Sequence, residues 1–124
     1  MSTPPVFPRF VSIALLLFAL SPARAATVYV DIGTGYYSPQ NLTVGVGDTV
    51  VWDARSPGHT VTANDGTFDS SGGTQPPTTL SLGARYSFTF QSVGTYPYFS
   101  RTDTAMKGTI TVQDPAGSGR HEHE

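Results

Sequence analysis

Cysteine is absent from all 124 residues of this chain, and that absence excludes more than any other feature of its composition. No disulfide can form, so burial of apolar surface must hold the fold together. No cysteine is available to carry a lipid anchor, and no thiolate can serve as a nucleophile or metal ligand. Basic residues are scarce as well: seven Lys and Arg stand against nine Asp and Glu, without a cluster of positive charge. Nucleic acid and anionic membrane surfaces are disfavoured as partners on that ground. Long apolar runs are missing. The longest, residues 10–20 (FVSIALLLFAL), has eleven residues, too few to span a bilayer. Beyond it there is neither a helical period nor an internal repeat.

What is present begins with a leader. Arg9 precedes the apolar run, Pro22 follows it, and Ala23-Arg24-Ala25 forms a small-residue cleavage pattern ahead of Ala26. These features predict a secretory signal peptide over 1–25, export to the periplasm or the exterior, and a mature chain that begins at Ala26. Removing Arg9 and Arg24 leaves five basic residues against nine acidic ones in 99 residues, a net charge of −4. A chain of that size buries one modest core, so a single domain over 26–113 is expected. Residues 114–124 carry no apolar pattern and read as a flexible tail. Its end, His121-Glu122-His123-Glu124, is either a loose chelator of Zn(II) or Cu(II) or a solvated terminus. Asn41-Leu42-Thr43 is a glycosylation sequon, of consequence only in a host that glycosylates.

Over 26–113 the dominant period is two. Val28, Val30 and Ile32 alternate with Thr27, Tyr29 and Asp31, and Leu42, Val44 and Val46 alternate with Thr43 and Gly45. Further strand-like runs cover 49–52, 59–63, 86–90, 94–99 and 108–113, while 33–39 is rich in turn residues. Residues 69–82, rich in Ser, Gly, Thr and Pro, read as a long surface loop. Seven to eight short strands of this kind predict an all-β Greek-key sandwich of two sheets. Trp52, Tyr86, Phe88, Phe90, Tyr96 and Tyr98 are its expected packing residues.

Several motifs in order carry a resemblance. They are Pro39-x-x-Leu42-Thr43-Val44-x-Val46-Gly47-Asp48-Thr49-Val50-x-Trp52, then His59-Thr60-Val61, then Asp65-Gly66-Thr67-Phe68-Asp69-Ser70. Tyr86-Ser87-Phe88-x-Phe90, Gly94-Thr95-Tyr96-x-Tyr98 and Met106-Lys107-Gly108-Thr109-Ile110-Thr111-Val112 complete the series. The chain resembles the cupredoxins of the plastocyanin and pseudoazurin branch over 28–112. That resemblance implies a cupredoxin-like sandwich, copper as cofactor, and electron transfer outside the cytoplasm.

It also implies where the metal ligands should stand. The family takes one histidine from the region after the tryptophan and Cys-x-x-His-x-x-Met from the loop before the last strand. His59 and Met106 match; Ser100 stands at the cysteine position and Asp103 at the second histidine. A blue-copper centre needs a thiolate and two imidazoles, whereas a serine hydroxyl is neutral, less polarizable and a poor ligand for Cu(I). A set of His59, Asp103, Met106 and Ser100 suits, at most, weak non-blue Cu(II) or Zn(II) binding. Each residue also has a plainer reading. His59 can end a strand bonded to backbone, Met106 can fill the core, and Ser100 and Asp103 can shape a turn. Arg101 is placed to pair with Asp103 and neutralise it.

Three functions follow from these readings. The first is a metal-free or weakly metal-binding module that meets a protein partner, with no nucleic acid and no membrane insertion after leader cleavage. The second is the copper-binding electron carrier of the parent family. The third is non-blue metal buffering or delivery. A Ser100-His59-Asp103 hydrolase is a remote fourth, because no nucleophile-elbow pattern surrounds Ser100. The chain is expected not to be an enzyme.

Overall fold

The computed structural model describes residues 24–114; nearly all of the predicted leader, and the tail from Pro115 with its His and Glu residues, lie outside the described residues. Eight strands form two four-stranded sheets. They are β1 (Thr27–Gly33), β2 (Tyr36–Ser38), β3 (Asn41–Gly45), β4 (Thr49–Ala54), β5 (Thr62–Ala63), β6 (Arg85–Thr89), β7 (Gly94–Ser100) and β8 (Asp103–Gln113). One sheet runs β2-β1-β4-β6 and the other β3-β8-β7-β5. The chain leaves the first sheet after β2, contributes β3 to the second, and returns as β4. That crossover sets β4 parallel to β1, with Val30 opposite Trp52 and Ile32 opposite Ala54. The same logic sets β3 parallel to β8, with Leu42 opposite Ile110 and Val44 opposite Val112. The expected all-β sandwich is the observed one.

Alternation decides which face is buried. In β4, Val50, Trp52 and Ala54 point inward while Thr49, Val51 and Asp53 are only half-buried. In β8, Met106, Ile110 and Val112 enter the same core from the opposite sheet. Its centre is aromatic. The Trp52 ring lies 5.5 Å from both Phe68 and Tyr98, and Phe68 lies 5.3 Å from Phe88 and 5.6 Å from Phe90. Tyr98 sits directly across the ladder from Gly108. A Cβ there would fall 2.5 Å from the tyrosine ring, so only glycine lets that ring lie flat on β8. Among the described residues, no helix is long and apolar enough to cross a membrane.

Three strand expectations need correction. Residues 36–38, expected as turn, form β2, because Tyr37 pairs with Ile32 and buries its ring. Of 59–63 only Thr62–Ala63 is a strand, and His59 makes a single bridge to Leu80. Residues 103–107, expected to form a loop ahead of the last strand, belong to β8. The register jumps from Phe99↔Lys107 to Ser100↔Asp103, so Thr104, Ala105 and Met106 form a bulge on β8.

Candidate functional site

One end of the sandwich gathers the β1–β2 turn, the segment after β4 and the β7–β8 hairpin. His59 and Ser100 meet there, with His59 Nδ1 3.4 Å from Ser100 Oγ. Asp103 faces Ser100 across the two-residue hairpin turn of Arg101 and Thr102. Met106 is fully buried in the β8 bulge as part of the apolar core. Arg101 does not pair with Asp103 as the sequence suggested. Its guanidinium reaches the other way, donating to Ser71 Oγ at 2.9 Å and to the Thr74 carbonyl at 2.8 Å, which ties the long 69–82 loop to the hairpin.

Ser100 has no solvent exposure, and its hydrogen bonds can be assigned by counting protons. A hydroxyl has one proton to donate and two lone pairs. Ser100 Oγ accepts the Thr60 N–H at 3.2 Å. It also lies 3.0 Å from Thr102 Oγ1, whose single proton goes to the Gly58 carbonyl at 2.7 Å. Ser100 must therefore donate to Thr102. Only one lone pair is left for His59, so the 3.4 Å contact is a hydrogen bond in the tautomer that carries its proton on Nδ1. A nitrogen that carries a proton has no lone pair for a metal.

A second chain of hydroxyls runs beside the first. The Arg101 N–H donates to Thr60 Oγ1 at 2.9 Å, and Thr60 Oγ1 lies 2.9 Å from Thr62 Oγ1. Thr62 donates to Asp69 Oδ1 at 3.0 Å, so Thr60 must donate to Thr62. The Ser71 N–H and hydroxyl reach the same Asp69 oxygen at 2.9 and 2.6 Å. Because Arg101 also donates to Ser71, the bonds close into a ring through Arg101, Thr60, Thr62, Asp69 and Ser71. Burial pushes the Asp69 carboxyl up, but the bonds from Ser71 and Thr62 and the Arg101 charge outweigh it and hold it below the ordinary range.

Tyr37, Thr60 and Thr102 belong to this end and were not singled out from the sequence. Tyr37 donates from its hydroxyl to the Thr60 carbonyl at 2.6 Å and packs edge-on to Tyr98, with ring centroids 4.6 Å apart. Burial raises the Tyr37 phenol far above its usual range, helped by Tyr98 and the Asp103 carboxylate. Burial likewise pushes Tyr98 up to about 12. Both phenols are neutral at any ordinary pH; Tyr37 donates to Thr60, while the buried Tyr98 hydroxyl has no hydrogen-bond partner among the described residues. The period-two burial of Ile32 and its ladder partner was the available signal for Tyr37, but it shows only once β2 is known to pair.

Ser100 offers a neutral hydroxyl already committed to three protein partners, in place of a thiolate. Asp103 offers a hard carboxylate in place of an imidazole. Among the described residues no group of three or more His, Cys, Asp or Glu side chains is positioned to hold a metal ion. The residues do not fit a blue-copper centre. A hydrolytic role for Ser100 fares no better, since its buried Oγ is turned into the protein.

Residues 25–113 match the family described as copper binding proteins, plastocyanin/azurin family. The chain is 34% identical over 107 residues to a plastocyanin of Prochlorothrix hollandica, covering 79% of this chain and 82% of that one. Among solved structures it is similar to a reduced amicyanin variant, at 30% identity and a TM-score of 0.57, covering 77% of this chain and 88% of the other. It is also similar to a purple cupredoxin from Nitrosopumilus maritimus, at 27% identity and a TM-score of 0.55, covering 69% and 99%.

Proposed function

The chain belongs to the plastocyanin/azurin family of copper binding proteins, and from that premise we propose that it is an exported cupredoxin domain whose copper site has been replaced by a hydrogen-bonded hydroxyl cluster. It works as a metal-free, or at most weakly non-blue-metal-binding, module. The observation that carries this reading is Ser100: at the cysteine position stands a buried hydroxyl whose donor and acceptors are all used by protein groups. In the parent family the metal cross-links the loops at this end. Here Ser100, Thr60, Thr102 and Arg101 join the same loops without one. The end that carries His59 and the strapped 69–82 loop is the surface offered to a protein partner. Export rests on the leader over 1–25 and the cleavage pattern before Ala26.

The parent activity, copper-based electron transfer, is the second reading, and the family match favours it. Calorimetric titration of the metal-free protein with Cu(II), repeated on His59→Ala, separates the two. Weak or absent binding, lost with His59 and without intense visible absorption, is the expected result. Tight stoichiometric binding with an intense visible band would overturn the proposal. The positional assignment has its own test. Ser100→Cys with Asp103→His should gain a blue-copper spectrum on adding Cu(II). A double variant that folds, binds copper and stays colourless would sink the assignment of Ser100 and Asp103 to ligand positions.

A further inference from the structure

The end of the sandwich away from His59 holds a contact that the proposed function does not use. β1 and β4 start there, and β3 and β8 finish there. The tight turn between β3 and β4 puts Gly47 at φ +95°, a left-handed conformation suited to glycine. That turn curls Asp48 back on β3. Its N–H donates to the Gly45 carbonyl at 3.0 Å, and its Oδ2 accepts the Gly45 N–H at 2.8 Å. The other carboxylate oxygen, Oδ1, accepts the Ala26 N–H at 2.8 Å. Ala26 is fixed from its other side, where its carbonyl accepts the Thr49 N–H at 2.9 Å. The carboxylate is thus held by two backbone N–H groups, and Ala26 is anchored at both its nitrogen and its carbonyl, next to the first parallel pair, Thr27↔Thr49.

Ala26 is also the residue that leader cleavage would make the first. Before cleavage its nitrogen is a neutral amide; afterwards it is an α-ammonium. We infer that cleavage between Ala25 and Ala26 places this ammonium on the Asp48 carboxylate, so that Asp48 is the docking site for the processed N terminus. The geometry needs no rearrangement, because the nitrogen already lies at charge-assisted hydrogen-bond distance. The hollow around it is lined by Arg24, Ala25, residues 43–48 and Gln113. Arg24 and Ala25 depart with the leader, and the new ammonium puts a positive charge on the nitrogen that already bonds Asp48. The bond to be cut is accessible, since Ala25 and Ala26 are exposed just ahead of β1. The assignment of the cut rests on the export reading; the docking contact does not.

Two measurements test this. The full chain is expressed with its leader in a secreting bacterium, and the exported product is sequenced from its N terminus. Ala26-Thr27-Val28 is expected, and any other first residue overturns the assigned cut. An unprocessed chain confined to the cytoplasm would overturn export itself. Separately, the chain that starts at Ala26 is compared with the same chain acetylated at that amine, which keeps an N–H but removes the charge. The free amine should raise the melting temperature by about 2–4 °C at low salt, the size expected of one exposed ion pair in a small domain. The gap should vanish in Asp48→Asn and shrink in 1 M salt. Equal melting temperatures with and without the acetyl group, or a gap that survives Asp48→Asn, would overturn docking whatever the export experiment shows.

Discussion

Trp52 and Ser100 are both fully withdrawn from solvent, yet different physics places them. Trp52 sits between the sheets with aromatic rings on several sides, and its position is a matter of volume and shape. Packing of that kind is tolerant of identity: several apolar residues fill similar space at modest cost. Ser100 sits at the end of the sandwich, and its position is a matter of bond count. One proton and two lone pairs meet Thr102, Thr60 and His59, and no other side chain of that size offers the same set. Alternation and bulk are enough to specify the first region. The second region is held by counted hydrogen bonds, which the packing of the first does not supply.

The comparison is broken most severely from the core side. Trp52→Ala should cost about 3–5 kcal/mol, the usual range for emptying a buried aromatic site. Trp52 is the sole tryptophan, so urea unfolding should be followed by circular dichroism instead of fluorescence. A loss well under about 2 kcal/mol would mean that the two sheets close up around the void, and that the core is not held by shape.

From the hydroxyl side, Ser100→Ala should cost about 1–3 kcal/mol, because it strands the buried Thr60 N–H without an acceptor. A merely volumetric role would not touch His59, whereas the proton assignment does. With Ser100 present, nitrogen NMR should find the His59 proton on Nδ1; in Ser100→Ala that preference should relax. Unchanged nitrogen shifts would sink the assignment. Ser100→Cys alone should not gain the blue-copper band with Cu(II), since the second imidazole is still missing.

The same division explains what could be read in advance. Val28, Val30 and Ile32 announce β1 through period two, and Val50 and Trp52 announce β4, because burial on one face leaves its mark directly in the sequence. The motif order from Pro39 to Val112 singled out His59, Ser100, Asp103 and Met106 as candidates, and the structure brings His59 to Ser100 and pairs Ser100 with Asp103. Bond partners left no such mark. That Arg101 turns to Ser71 and Thr74, and not to Asp103, depends on where the 69–82 loop passes. Tyr37 and Thr60 meet only because β2 pairs with β1, a three-residue strand with no period to see. The length of β8 was missed for a related reason. A metal-binding loop was expected at 103–107, whereas that segment joins the sheet as part of β8.

The smallest effect probes the Asp69 ring. Its carboxyl is held below the ordinary range by the Ser71 and Thr62 bonds and the Arg101 charge, against the opposing push of burial. A depressed folded value means that the unfolded chain takes up the proton first as pH falls. The stabilisation is therefore complete above about pH 5 and is lost as pH drops through the folded value, below the unperturbed value of roughly 4. Asn at this position keeps an acceptor for Thr62 and Ser71 but loses the charge that faces Arg101. The stability gap between the protein and Asp69→Asn should be below about 1 kcal/mol near neutrality, since solvent screens so partial a burial. It should close between pH 5 and pH 2. A gap independent of pH would show that geometry alone holds the ring, with the charge contributing nothing. The loop strap would then be of the same kind as Ser100, a matter of counted bonds.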